Sequence, residues 1–147
     1  MAKIHGKDSV VQIEDSGGTL RTLTTDVNNG EAPITVDEGD VTGFGDTSHN
    51  SVVGAQNSPI ALTGPYNDLA TTGVHAILSG LVRGTGTGGS AGYDCRVMPS
   101  GTASGKPRLR GRVLLTTYQV TAPAGGPVTY QANLVPALAA GLSWETI

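Results

Sequence analysis

The side chains of this sequence that could do chemistry are three histidines, twelve carboxylates, one cysteine and a short run of arginines. Their spacing decides what they can be used for. His5, His49 and His75 stand far apart in the chain, with no metal-ligand spacing between any two of them. His75 follows Val74 inside a stretch of helical periodicity, where a hydrogen-bonded structural histidine is a better reading than a ligand. Asp37, Glu38 and Asp40 lie close together, but the stretch lacks the loop pattern that closes a calcium site, so a solvated acidic face is expected. The glycine-rich run at 84–92 has no Gly-Lys-Ser/Thr ending and does not lead from a strand into a helix, so it fails as a phosphate loop. No Gly-x-Ser-x-Gly elbow is present. Cys95 is the only cysteine, which rules out an intrachain disulfide, and on a predicted strand it reads as a small apolar core residue. The expectation is a protein with no catalytic residue, no cofactor and no metal.

The charges that remain are unevenly placed. Residues 26 to 68 carry Asp26, Glu31, Asp37, Glu38, Asp40, Asp46 and Asp68 and no lysine or arginine, whereas residues 106 to 112 carry Lys106, Arg108, Arg110 and Arg112. Arg108, Arg110 and Arg112 alternate, so on a strand they point to one face. Such a strip can contact phosphate, or it can form an intersubunit salt-bridge strip with the acids between 37 and 46. One basic patch on a chain of net charge −3 with few aromatic residues argues against a nucleic-acid reader. Opposed acidic and basic patches steer head-to-tail association. Charged residues are only 14% of the chain, against about 25% in typical domains. A surface this poor in charge has less electrostatic cost when another subunit covers it.

The elements that must position these residues are mostly strands. Apolar β-branched runs and alternation predict strands at 8–14, 19–23, 34–38, 60–66, 93–98, 108–121 and 128–134. Turn clusters fall at 15–18, 28–30, 99–101 and 123–127. In the third of these strands Ile34, Val36 and Glu38 alternate with Thr35 and Asp37, as in a strand with one buried face. Leu69, Val74, Ile77, Leu78 and Leu81 recur at helical spacing and predict one helix over about 68–82, with Asn67 as its N-cap and Asp68 in its first turn. Between strands, about residues 38–58 show four glycines and little periodicity, which predicts a long loop. A loop of that length within a compact domain is usually functional or mobile. It holds Phe44, the only phenylalanine, which either folds back on its own core or docks on a neighbouring subunit. The chain should therefore be one mainly β domain over 1–147 with a single helix. The start lacks the apolar run of a signal peptide, and no stretch approaches the ~20 apolar residues of a membrane span, so folding in a cytoplasm without membrane contact is expected.

Two segments together resemble a known family. One runs Val36-Asp-Glu-Gly-Asp-Val-Thr-Gly-Phe-Gly-Asp46, then Pro59-Ile-Ala-Leu-Thr-Gly-Pro-Tyr-Asn-Asp68. The other runs Tyr93-Asp-Cys-Arg-Val-Met-Pro-Ser-Gly-Thr102, Arg112 to Pro123, Val128 to Leu134 and the late Trp144. From about residue 8 to the end, the order resembles the major tail tube proteins of long-tailed, non-contractile bacteriophages. The resemblance implies a β-sandwich or partly closed barrel with one flanking helix. It implies homo-hexameric rings joined edge to edge and stacked around a tape measure protein. Tail terminator and tail tip proteins would be further partners, and DNA would pass through the lumen without specific binding. The subunit would be made in the host bacterial cytoplasm and reside in the virion tail. On this reading the long loop reaches the adjacent ring, Asp37, Glu38, Asp40 and Asp46 serve the lumen or ring stacking, and Phe44 is an inter-ring anchor. Rival readings are another virion part, such as a tail terminator or head decoration protein, and a β-sandwich binding or adhesion module, which would want more exposed aromatics than six in the whole chain allow.

Overall fold

A computed structural model describes residues 3–82, 92–137 and 141–147. Its strands are β1 (Val10–Glu14), β2 (Leu20–Thr22), β3 (Asn29–Glu31), β4 (Thr35–Asp40), β5 (Ser51–Asn57), β6 (Ile60–Pro65), β7 (Tyr93–Met98), β8 (Pro107–Thr121), β9 (Thr129–Pro136) and β10 (Ser143–Thr146), with one helix, α1 (Val74–Leu78). The main sheet is antiparallel in the order β2-β1-β7-β8-β9-β6-β3, and β10 also pairs with β8. The spine is β8, fifteen residues long. Its first half pairs with β7 and β10 and its second half with β9. A bulge at Thr116 resets the side-chain alternation, so that Tyr118 follows Leu115 on the inner face.

The sheet has to curl. Laid flat, β2 and β3 would sit six strand spacings apart, about 29 Å. The chain from Thr22 to Asn29 reaches about 25 Å at most when fully extended, and it contains a 3-10 turn at Thr24–Asp26. The two ends of the sheet are therefore drawn together into a partly closed barrel. One apolar cluster fills it, with Val11 and Ile13 from β1, Ile60 and Leu62 from β6, Tyr93 and Cys95 from β7, Leu109, Val113 and Leu115 from β8, and Tyr130, Ala132 and Leu134 from β9. Val74, Ile77 and Leu78 of α1, followed by Leu81, close it off. The glycine-rich run at 84–92 lies outside the described residues apart from Gly92.

Cys95 is fully buried, and burial, with the neighbouring Asp94 charge, pushes its thiol up to about 12. An aromatic disulfide reagent at pH 8 is therefore expected to leave the folded protein unmodified and to titrate one thiol per chain only after unfolding. Fast labelling of the native protein would contradict the burial.

The helix is shorter than its periodicity predicts. Residues 69–73 form a tight turn in which Thr71 has φ 71° and a Cβ at Gly73 would sit 2.6 Å from the Leu69 carbonyl oxygen. Thr71, Thr72 and Gly73 are poor helix formers, and Leu69, which fitted the apolar stripe, is 62% exposed. Gly73, not Asn67, is the N-cap residue. Asn67 Oδ1 accepts from the Leu69 N–H, and Asn67 Nδ2 donates to both carboxylate oxygens of Asp26. Asp26 Oδ2 also accepts from the Val74 N–H at 3.2 Å, satisfying a helix-start donor from 48 residues away. The Tyr130 hydroxyl donates to the Asp26 carbonyl at 2.7 Å. Asp26 is thus a buried structural carboxylate and no part of an acidic face. His75 is structural as well. Its ring lies between Tyr66 and Tyr118, and its Nδ1 is 3.1 Å from the Tyr118 hydroxyl.

Candidate assembly surfaces

Within the segment expected as a long loop at 38–58, residues 38–40 and 51–57 are strand. β4 and β5 form a two-stranded ribbon, and only residues 41–50 form its tip. The ribbon continues the β3–β6 pair past the end of the main sheet, so one long hairpin begins inside the barrel and ends as an arm outside it. Its periodicity is weak because almost no described residue of its own subunit covers it. All of β5 is exposed, and so is all of β4 except half-buried Gly39. The expected buried face of Ile34 to Glu38 is absent, since Val36 is 48% exposed and Val53 83%. A bare two-stranded ribbon is marginal in water, and exposed apolar groups clustered on one projection mark an interaction surface.

Local contacts hold the arm in shape. At its base, Gln56 Nε2 donates to the Leu142 carbonyl at 2.8 Å, and the Ser58 hydroxyl accepts from the Leu142 N–H. At its tip, Asp40 accepts from the Thr42 N–H and hydroxyl, while Asp46 accepts from the Gly43 N–H at 2.7 Å and from Asn50 Nδ2 at 2.9 Å. Two of the four predicted acids therefore shape the turn that presents Phe44. Asp37 sits at the ribbon's bulge, where a Cβ at Gly54 would lie 3.1 Å from its carbonyl oxygen, and Glu38 pairs across the ribbon with Val53. Phe44 is fully exposed, and its ring leaves its own core untouched.

The hydroxyl and N–H of Thr42 hold the Asp40 carboxyl below its usual value of 3.8. A lowered carboxyl stabilises the ordered tip above the unfolded value, and that contribution disappears as pH falls through the lowered one. Exchange of the Thr42 amide, followed by NMR, is expected to stay protected relative to Gly45 at pH 5 and to lose that protection only below about pH 3.8.

Arg108, Arg110 and Arg112 share one face of β8 as predicted, but within the subunit their partners are not the arm's acids. Arg108 Nε donates to Glu145 at 2.6 Å, Arg110 reaches Asp94 at 3.3 Å, and Arg112 lies 4.0 Å from Glu14. Arg96, directly across from Arg110, shares Asp94 at 3.0 Å, so one buried carboxylate separates two like charges. Further along the same outer face, the side chains are Thr117, Gln119, Thr121, Thr129, Gln131, Asn133 and Thr63. Among the described residues of this face, Arg96, Arg108, Arg110 and Arg112 are equalled in number by Glu14, Asp94, Glu145 and, by register, Glu31, so their charges balance.

No family model and no curated protein matches this sequence. Solved structures do match it over nearly its whole length. The tail of an empty gene transfer agent particle, solved with C6 symmetry, superposes with a TM-score of 0.70 at 18% identity, covering 98% of this chain and 99% of that one. The SPP1 tail tube superposes with a TM-score of 0.73 at 12% identity, covering 99% of this chain and 80% of that one. The tube-terminating cap of the anti-feeding prophage gives 0.69 at 10% identity, covering 100% and 93%. This chain has the tail-tube fold. Among the described residues the β4–β5 arm stands almost wholly exposed, and its anchors, Gln56 and Ser58, escaped the sequence reading. Their partner, Leu142, lies more than eighty residues away.

Proposed function

We propose that this chain is a structural subunit that polymerises into a phage-type tail tube, as one tail-tube domain. Rings form through sheet edges and stack through the β4–β5 arm. The observation that carries the reading is the arm itself, a shaped, acidic, apolar-tipped projection that its own subunit leaves bare. The sheet supplies edges as well. Among the described residues, the second half of β8 pairs only with β9, and β2 and β3 each end the sheet. Open strand edges seek partners, and a ring removes them.

Of the candidate residues, Phe44 is assigned to ring stacking, with Asp37, Glu38, Asp40 and Asp46 around it. The balanced outer face of the sheet, including Arg108, Arg110 and Arg112, suits a lumen that a polyanion crosses without sticking. Hexameric rings, a tape measure protein in the lumen, terminator and tip proteins at the tube ends, passage of DNA and residence in the virion tail complete the reading. The role is structural, not catalytic. The cap of the anti-feeding prophage shares the fold, so the fold alone does not separate a tube subunit from a terminator. The bare arm favours the tube subunit, because a terminator needs one closed face. Sedimentation of the purified chain over a range of concentrations tests the proposal. Growth into species far larger than one ring is expected, and a 14.9 kDa monomer at every concentration would overturn it.

A further inference from the structure

The barrel is not sealed where β1 and β7 approach β3. A cleft of about 330 Å³ opens there, with apolar walls from Val11, Val27, Val97 and Pro99 and polar walls that include Lys7 and Thr24. Thr24 Oγ1 is buried and has no hydrogen-bond partner. Phe44 is the largest bare apolar group among the described residues, and the hydrogen bonds that Asp40, Thr42, Gly43, Asp46 and Asn50 make with one another at the arm's tip all stay within the arm.

We propose that Phe44 of one copy seats in this cleft of a second copy. This deepens the tube-subunit reading and rests on it for the second copy. Three features select that occupant. The cleft has room for a phenyl ring, and its four apolar residues supply the contact. The arm carries Asp37, Glu38, Asp40 and Asp46, while the cleft's rim carries Lys7, with Lys3 and His5 just before it in the chain. Among the described residues every arginine has a carboxylate within 4.0 Å, whereas Lys3, Lys7 and Lys106 have no salt bridge. One of those three free cations, Lys7, thus lines the cleft where the acidic arm would arrive. Thr24 Oγ1 can accept from a backbone N–H of the glycine-flanked tip. Because knob and hole are different surfaces of one chain, the contact is head-to-tail and propagates without closing.

Crosslinking tests the contact. Gly45 has open space around an added Cβ, and Asn29 lines the cleft. The double variant Gly45→Cys/Asn29→Cys, treated with a short bis-maleimide at high protein concentration, is expected to give a ladder of covalent oligomers, since native Cys95 is buried. Gly45→Cys/Gln119→Cys should give none. Adding Phe44→Ala to the first pair should raise the concentration needed for the ladder by ~10- to 100-fold. Electron microscopy of the same samples separates the two ideas. A ladder with tubes supports both, and a ladder without tubes supports the contact while removing the tube. Tubes without a ladder overturn the contact alone, and neither overturns both.

Discussion

Asp26→Ala is expected to lower the melting midpoint of the isolated subunit by roughly 6–12 °C. The Asp26 carboxylate accepts from Asn67 Nδ2 with both oxygens and from the Val74 N–H, in a site where Asp26 itself is only 6% exposed. Alanine leaves the buried Val74 N–H and the part-buried Asn67 Nδ2 unmatched, which costs about 3 kcal/mol, and each kcal/mol moves the midpoint of a domain this size by about 2–4 °C. The damage spreads because the three partners belong to different parts of the fold, with Asn67 and Val74 flanking the turn before α1 and Asp26 on the connection that draws the sheet ends together. Asp26→Asn keeps one acceptor and should cost less. Tyr130→Phe, which removes the hydrogen bond to the Asp26 carbonyl, should cost about 1 kcal/mol. Thermal melts followed by circular dichroism check all three. A shift under 2 °C for Asp26→Ala would show that the carboxylate does not hold the barrel's seam.

Replacing residues 41–50 by Asn-Gly is expected to leave the fold intact and to abolish polymerisation. Asp40 and Ser51 are already cross-strand partners, and Asn-Gly is the natural two-residue connection for such a pair. The melting midpoint should stay within about 2 °C of the parent, because the removed segment's hydrogen bonds are made inside the arm. Sedimentation should then show no species larger than a ring at concentrations where the parent forms long assemblies. Full-length assembly by the shortened chain would show that stacking uses another surface, and an unfolded product would show that the arm belongs to the core.

Strands were legible wherever one face is buried. Leu109, Gly111, Val113 and Leu115 alternate with Arg108, Arg110 and Arg112 because one set faces the core and the other the outer surface, and the same logic placed β7 and β9. The arm was misread for the converse reason. With both faces of β4 and β5 bare, Val52, Val53 and Gly54 carry no alternation that marks a strand. Asn28-Asn29-Gly30 read as a turn, whereas Asn29 and Gly30 pair with Thr63 and Leu62 in β3, which is too short to show a period. The helix was overextended because Leu69 happens to fall on the apolar stripe of α1, while the turn at Thr71–Gly73 breaks it. The arginine strip was placed correctly, but its partners Glu14, Asp94 and Glu145 come from three other strands, and no local pattern announces such pairings. Asp26 was counted by its charge, although a lone carboxylate between Leu23 and Val27 is a cue to look for a buried partner.

Negative-stain electron microscopy of the purified subunit at low and high concentration bears most directly on self-assembly. Hollow tubes of stacked rings, lengthening with concentration, are the expected result. Single rings that never stack, or only particles the size of one 14.9 kDa chain, would contradict it.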